Sequence, residues 1–500
     1  MKDLMTKKSK TIIWVLISLG VIIVGTLLGV VGGRYLESKT SYRPTLQVVG
    51  DVKNVLNINN LENYEQVNFT YKDATYTGVS VEKILEEAVM DTSSSKVFFV
   101  GSDGLTAEVD SQTLEETYCL FSKENGWEVI NLNHPVSSNI KHMREMIVVS
   151  QELGDLAVTL FTKDKNLKSI TPGQFYMMPY ENRRFFEGKS EIESNYVGIH
   201  TSHRILDMQE LVKNLEEVND VKNGTLFLEN GKIEQVNLDG YLEVQGNQIH
   251  YRSYDKEYEY NDIRGFYLGE PLNYLTDVYY DMEYYIEKDE PVMLIYIDGM
   301  SEEIFQKAKK DGIIPAISGG ENKQALSVHT SVTNAGFAAM ITGVTPDING
   351  IHNRSHRELK VPSIFQLAKD HNTKTAFFEG NANILNTEIM PQLHVNGDHA
   401  ILKSTEHAIE EGAEFVFIHL HELDELGHTF GPDSPKLYDY LEIVDKKIAT
   451  IIEKFSGQVI ITTDHGMHKT EIGGSHGNMR YEDMVIPIIY QEGGMKNEQK

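Results

Sequence analysis

The sequence predicts an α/β protein. Its C-terminal domain would hold a mostly parallel sheet with helices on both faces, preceded by a transmembrane helix and by mostly β or α+β N-terminal modules. Three observations carry this expectation. From Pro291 onward, apolar strand-like runs alternate with helix-like segments, at 292–297, 303–309, 334–342, 363–370, 374–378, 404–411, 414–419, 436–454, 458–463 and 485–490. Continuously apolar strands separated by helices are the pattern of a parallel sheet buried on both faces. Residues 45–290 instead show strand alternation and turn signals, and residues 11–31 carry no charge at all.

The charge-free stretch matches the ~20 residues needed to cross roughly 30 Å of hydrocarbon. Lys2, Lys7, Lys8 and Lys10 precede it, whereas mixed charge follows, so the positive-inside tendency makes residues 1–10 a cytoplasmic tail and 11–33 the anchor. The expected location is the cell membrane, single-pass, with the catalytic domain extracellular. A cleaved signal peptide is the competing reading, but its apolar core is usually shorter, and Gly32 and Gly33 make a weak cleavage site.

After a polar stalk at 37–43, residues 45–150 read as a small, mostly β module. A helix-like run at 79–88 begins at Ser80 or Thr77, and the runs 96–100 and 105–109 flank the turn Gly101-Ser102-Asp103-Gly104. Residues 151–290 read as a second small β unit, with turns at Glu229-Asn230-Gly231, Asp239-Gly240 and Gln245-Gly246-Asn247. The tyrosine-rich, acidic stretch 251–285 admits an aromatic ligand platform, but an interdomain contact or linker is the commoner reading of such a segment. Residues 291–500 are the catalytic candidate.

Five hundred residues suffice for several domains with sizeable cores, so no disulfide stapling is required. The single cysteine, Cys119, forbids an intrachain disulfide and leaves the compartment undecided. A net charge of -28 disfavours long nucleic acids or anionic membrane surfaces held by charge alone. A small anionic substrate is still admissible, because a bound divalent cation dominates its local field.

The chemistry gathers in the C-terminal domain. Asp424 and His428 are four apart, so one helical turn or a tight loop aims both at one ion. Asp464 and His465 end the apolar run Val459-Ile460-Ile461-Thr462-Thr463, Asp298 ends Met293-Leu294-Ile295-Tyr296-Ile297, and Phe415-Val416-Phe417-Ile418 runs toward Asp424. Residues just past such strands line the crevice beyond the sheet's carboxyl edge. His476 completes the set within Ser475-His476-Gly477. Thr333 opens the helix-like run that Gly343 stops, a place where free amides favour an oxyanion. A cation there would make its hydroxyl a nucleophile; without one, Thr333 is an ordinary N-cap. His419 and His421 share one strand face and read as packing or hydrogen-bonding residues, while His329, His352 and His356 bracket the nucleophile segment within possible reach of substrate. The glycosylation sequons Asn68-Phe69-Thr70 and Asn353-Arg354-Ser355 are present, the second read as coincidence.

Asp298-Gly299, Thr333-Asn334 through Thr342-Gly343, Gly350-Ile351 with Asn353, Asp424 through Gly427-His428, Asp464-His465-Gly466 and Ser475-His476-Gly477 together resemble the alkaline phosphatase superfamily, in its type I phosphodiesterase and nucleotide pyrophosphatase branch. The resemblance spans about 291–492. It implies two divalent metal ions, with zinc expected and manganese or iron acceptable to the same ligands. One would be held by Asp424, His428 and His476, the other by Asp298, Asp464, His465 and Thr333. It further implies Thr333 as nucleophile, a phosphothreonyl intermediate, and Asn353 as donor to a phosphoryl oxygen beside the Thr333 or Asn334 amide. Thr333-Asn334-Ala335-Gly336 is closer to phosphonoacetate hydrolases of the same superfamily than to the Thr-Phe-Pro-Asn type usual in nucleotide pyrophosphatases. A small phosphoester or phosphonate substrate is therefore expected. More faintly, Tyr76-Thr77-Gly78-Val79-Ser80 with Gly101-Ser102-Asp103-Gly104 resembles the molybdopterin-binding fold of sulfite-oxidase-like proteins, but Cys119 follows the glycine turn and no such cofactor is expected.

The expected function is a membrane-anchored extracellular two-metal phosphodiesterase. Phosphonate hydrolases, phosphomonoesterases, phosphoglycerol transferases and cofactor-independent mutases of the superfamily are alternatives. Sulfatases are disfavoured because Thr333 lies outside a Cys/Ser-x-Pro-x-Arg sequence. A surface binding protein without catalysis is the alternative from another class.

Overall fold

A computed structural model describes residues 43–192, 195–215, 218 and 220–494. The expected cytoplasmic tail and the anchor at 11–33 lie outside the described residues. Among the described residues, no helix is long and apolar enough to cross a membrane.

The chain forms two compact units. Of the described residues, one unit takes 43–48 together with Leu56–Ala88 and Val97–Met146; the other takes Val49–Val55, Val89–Lys96 and those from Ile147 to 494. In the first, strands Val67–Tyr71, Ala74–Ser80, Thr117–Ser122 and Gly126–Asn131 make an antiparallel sheet in that order. Helix Val81–Ala88 follows directly, burying Val81, Ile84, Leu85 and Ala88, the i, i+3, i+4, i+7 face. Cys119 is buried on its strand, and burial beside Glu128 pushes its thiol up.

The second unit opens with two five-stranded sheets. The first runs, in spatial order, Asn166–Ile170, Val158–Phe161, Ile263–Leu268, Asn223–Leu228 and Ile233–Asn237. The second runs Glu181–Ile192, Asn195–Asp207, Gly240–Gln245, Gln248–Ser253 and Glu259–Tyr260. The turns expected at Gly231 and Gly246 join paired strands, whereas the one at Gly240 carries the chain from the first of these sheets into the second. The tyrosine-rich stretch is not a linker. It supplies strands of both sheets, then helix α1 (Asp277–Glu287), because its apolar residues Val278, Met282 and Ile286 recur at helical spacing and pack against the C-terminal sheet.

That sheet has eight strands: β1 (Asn273–Tyr274), β2 (Val292–Ile297), β3 (Glu321–Leu326), β4 (Thr375–Glu379), β5 (Gln392–Leu393), β6 (Phe415–Leu420), β7 (Gln458–Thr462) and β8 (Val485–Glu492). Their spatial order is β1-β3-β8-β7-β2-β6-β4-β5, parallel except for β8, which pairs antiparallel with both neighbours. Alternate residues of the central strands face opposite cores, as strand geometry requires. Met293, Ile295, Val416, Ile418, Val459 and Ile461 pack under helices α2 (Glu302–Lys310), α5 (Asp398–Glu410), α6 (Glu422–Phe430) and α7 (Pro435–Lys454). Val292, Leu294, Phe415, Phe417 and Ile460 pack under α1, α3 (Thr333–Thr342) and α4 (Ile364–Asp370). The carboxyl ends of β2, β4, β6 and β7 therefore open on one edge.

Candidate metal centre

Asp298 follows β2, and Asp464 and His465 lie just beyond β7. Asp424 and His428 stand one turn apart on α6, the helix that follows β6, and His476 follows the short strand Gly473–Ser475. The fold gathers these six into two groups, Asp424 with His428 and His476, and Asp298 with Asp464 and His465, the candidate ligand atoms of each group lying within 4.8 Å of one another. The groups abut: the His465 and His476 rings stack at 3.7 Å between centroids. Close backbone approach makes this fit. A Cβ on Gly299, where φ is +75°, would meet Asp424 Oδ1 at 2.9 Å, and one on Gly336 of α3 would meet the Asp464 Cβ at 2.7 Å.

Each ligand imidazole is oriented by a carbonyl. Nδ1 of His428 donates to Gly474 O at 3.0 Å, Nδ1 of His465 to Gly466 O at 2.9 Å, and Nδ1 of His476 to Ser331 O at 2.9 Å. A carbonyl only accepts, so all three rings carry a proton on Nδ1 and turn Nε2 toward the carboxylates, where it can donate to a carboxylate or, once deprotonated, ligate a cation. Nε2 of His465 lies 3.0 Å from Asp464 Oδ2 and 3.5 Å from Asp298 Oδ1, and Nε2 of His428 lies 3.3 Å from Asp424 Oδ2.

Among the described residues, Asp298 Oδ1, Asp424 Oδ1 and Asp464 Oδ2 are buried without a hydrogen-bond donor. Buried carboxylate oxygens without partners are costly. Burial, with the charges of Asp464 and Asp424, pushes the Asp298 carboxyl up to about 8. Burial also opposes ionisation of Asp424, yet the His428 contact and the imidazoles of His465 and His476 hold it down to about 2. Burial and the neighbouring His465 keep His476 down to about 3, a neutral ring with a free lone pair. Divalent cations would turn this repulsion into attraction, and the mixed imidazole and carboxylate donors suit zinc or manganese.

Thr333 is the first residue of α3, with Val332 rather than Thr333 as its N-cap, and its Oγ1 lies 3.4 Å from His465 Nε2. Thr333, Asp298, Asp424 and His428 line a cleft of about 930 Å³. Asn353 is not gathered with them. It is exposed, and its Oδ1 accepts from the Ser355 amide and hydroxyl at 2.9 and 2.6 Å, closing a local turn. The next residue, Arg354, enters the cleft instead, with Nη2 2.7 Å from His476 Nε2. Asn334, which also lines the cleft, uses its Nδ2 to donate to His356 O and Ile384 O.

Behind Asp298 lies a buried chain in which His419 is the hydrogen-bonding residue expected, while its partner Glu379 escaped the sequence reading. His419 lies 3.2 Å from Asp298 Oδ2 through Nε2 and 3.2 Å from Glu379 Oε1 through Nδ1, with its ring stacked on Tyr296. Glu379 ends β4 as Asp298 follows β2, and that acidic end of an apolar run was the available signal. His421, with Asp298 and His419, makes a third group of metal-ligand type. Its Nε2 accepts the Gly380 amide, so a neutral ring carries its proton on Nδ1, toward Asp298, and is a donor there rather than a ligand. His329 is turned toward Glu229 in another cleft, and His352 and His356 pair with each other.

Residues 292–485 match the family model described as type I phosphodiesterase / nucleotide pyrophosphatase. Among curated proteins, GPI ethanolamine phosphate transferase 1 of Aspergillus fumigatus is 36% identical over 86 residues, 16% of this chain and 8% of the relative. The protein of the same name from Schizosaccharomyces pombe is 29% identical over 89 residues, 16% and 9% of the two chains. The chain thus matches less than a tenth of the length of these relatives. Among solved structures, phosphonoacetate hydrolase from Sinorhizobium meliloti 1021 in complex with phosphonoformate is 18% identical, with a TM-score of 0.30, over 36% of this chain and 57% of that one. Murine ectonucleotide pyrophosphatase / phosphodiesterase 5 is 16% identical, with a TM-score of 0.29, over 36% and 58%.

Proposed function

From the match of residues 292–485 to the type I phosphodiesterase / nucleotide pyrophosphatase model, we propose that the chain is a two-metal phosphodiesterase of the alkaline phosphatase superfamily with Thr333 as nucleophile. One observation carries the reading: three buried carboxylate oxygens without donors are clustered with three imidazoles whose Nε2 atoms are turned inward because carbonyls hold Nδ1. Asp424, His428 and His476 would hold one cation; Asp298, Asp464 and His465 would hold the other, beside Thr333. Bound there, the cations lower the pKa of the threonine hydroxyl and offset the charge that develops on the attacking and leaving oxygens.

The rest is done by the chain. The first turn of α3 fixes the Thr333 oxygen and leaves amides free to hold a phosphoryl oxygen. Thr333 Oγ1 attacks phosphorus as the leaving alcohol departs in line, giving a phosphothreonyl enzyme; water then attacks phosphorus and frees Thr333. His419, braced by Glu379, keeps Asp298 turned toward the cations.

The test is hydrolysis of bis-p-nitrophenyl phosphate by the full chain, loaded with zinc or manganese or stripped of metal. Thr333→Ala is expected to lower kcat by on the order of 10³-fold or more while metal still binds, and Asp424→Ala to lose metal and turnover together. Undiminished turnover in Thr333→Ala or in the stripped protein overturns the proposal. A panel of nucleotide diesters, phosphonates, glycerophosphodiesters and monoesters ranks substrates. The transferase name of the curated relatives favours a second reading, in which an alcohol rather than water takes the phosphoryl group. Phosphorylated glycerol or ethanolamine among the products would establish it. Anchoring through residues 11–33, with this module outside the cell, remains part of the proposal, supported by the charge-free stretch and its lysine flank.

A further inference from the structure

His476 Nε2 cannot serve two partners. Its ring gives the Nδ1 proton to Ser331 O, leaving a single lone pair on Nε2, and Arg354 Nη2 donates to that lone pair at 2.7 Å. The same lone pair is the one that His476 would offer to a cation shared with Asp424 and His428. Arg354 and that cation are therefore mutually exclusive at His476, and their like charges reinforce the exclusion.

The loop carrying Arg354 is pinned, so the side chain has little choice of where to go. Asn353 closes the turn onto Ser355, Asn334 Nδ2 holds His356 O at 3.0 Å, the Lys360 amide bonds Asn349 O at 2.9 Å, and Arg357 donates to Asn383 O. What remains free is rotation of the Arg354 side chain within the cleft it shares with Thr333. A guanidinium there is a planar fork matched to two oxygens of one phosphoryl group.

Resting on the two-metal reading above, we propose that Arg354 is a metal-displaced arginine: it holds His476 Nε2 until a cation arrives, then turns to clamp the non-bridging oxygens of the phosphoryl group attacked by Thr333. It takes the place that the motif resemblance gave to Asn353, whose side chain is committed to its own turn. Arg354 is thus a catalytic residue whose availability depends on metal.

Its two roles push two measurable affinities in opposite directions, which a merely structural residue does not do. The experiment uses the full chain as wild type, Arg354→Ala and Arg354→Lys, with zinc affinity read by chelator competition and binding of inorganic phosphate to the zinc-loaded protein read by calorimetry. Removing the competing hydrogen bond in Arg354→Ala is expected to tighten zinc by about two- to tenfold. Loss of the charged fork is expected to weaken phosphate about tenfold or more, with Arg354→Lys recovering part of it. Zinc binding that weakens in Arg354→Ala, or phosphate binding that does not change, overturns the proposal while leaving the two-metal reading intact. A wild-type chain that takes up no zinc overturns both. Arg354→Lys keeps the long cationic side chain and so covers the case in which the alanine variant does not fold.

Discussion

Between Glu379 and Asp298, His419 has both ring nitrogens engaged by carboxylates and its faces against Tyr296 and His421, so its work is to aim an oxygen rather than to meet substrate. Glutamine keeps one of the two contacts. His419→Gln is expected to weaken metal affinity by about 10–100-fold, the usual cost of losing an outer partner of a ligand, read by chelator competition at unchanged fold. A second residue matters for stability. Asp51 is fully buried and accepts from the Ser150 and Gly173 amides and the Thr171 hydroxyl, each at 2.7 Å. Burial raises its carboxyl above the ordinary 3.8, against the pull of those three donors. A raised carboxyl favours the protonated fold, so its stabilising contribution is fully present below 3.8 and is lost as pH rises through the folded value. Asp51→Asn has no such titration. Its Tm relative to wild type is expected to climb as pH rises from about 3.5 to 6, by the linkage between protonation and folding; a difference that stays flat or falls refutes this. At this scale the metal-type residues were legible because each acidic one follows an apolar run, whereas Arg354 was not: which of Asn353 and Arg354 enters the cleft is decided by a turn hydrogen bond that sequence spacing does not show.

Among the elements, α1 shows how composition misleads. Its tyrosines suggested a linker, but Val278, Met282 and Ile286 form a buried stripe against β2, while Tyr280 and Tyr284 face outward. Met282→Ala and Ile286→Ala are each expected to cost about 2–5 kcal/mol, the range for emptying a well-packed core position, measured by denaturant unfolding. A linker would lose almost nothing. Most of the runs read from Pro291 onward lie close to observed elements because their apolar periods are strong, and Ser301 and Ser363 cap α2 and α4 by accepting amides, as N-cap chemistry requires; α5 begins at Asp398, well before the run at 404–411, and β3, polar over most of its length, was missed, as were β5 and α6. The hairpin of Glu181–Ile192 and Asn195–Asp207 was missed. Much of its first strand is exposed on both faces, so no alternation of apolar and polar residues marks it.

Across the whole molecule, the three carboxylate oxygens left without donors among the described residues imply that a bound cation would be a folding partner as well. Zinc at about a hundred times its dissociation constant should stabilise the fold by about 2.7 kcal/mol, by mass action alone. Stripping metal is therefore expected to lower Tm, and zinc to restore it, in calorimetry; a Tm indifferent to metal counts against the centre. The α/β class could be read from the chain, but the insertion of β8 between β3 and β7 could not, since apolar runs do not reveal which neighbours they pair with. That insertion bears on how the protein is made. β7, which delivers Asp464 and His465, is flanked by β2 and by β8, and β8 is the last strand of the sheet to be synthesised. At about 5–20 residues per second, roughly 200 residues of translation separate β2 from β8, a wait on the order of 10–40 s. Asp298 emerges early and waits through that interval for its partners, so a ribosome-arrested chain stopped before β8 should be protease-sensitive and unable to retain zinc.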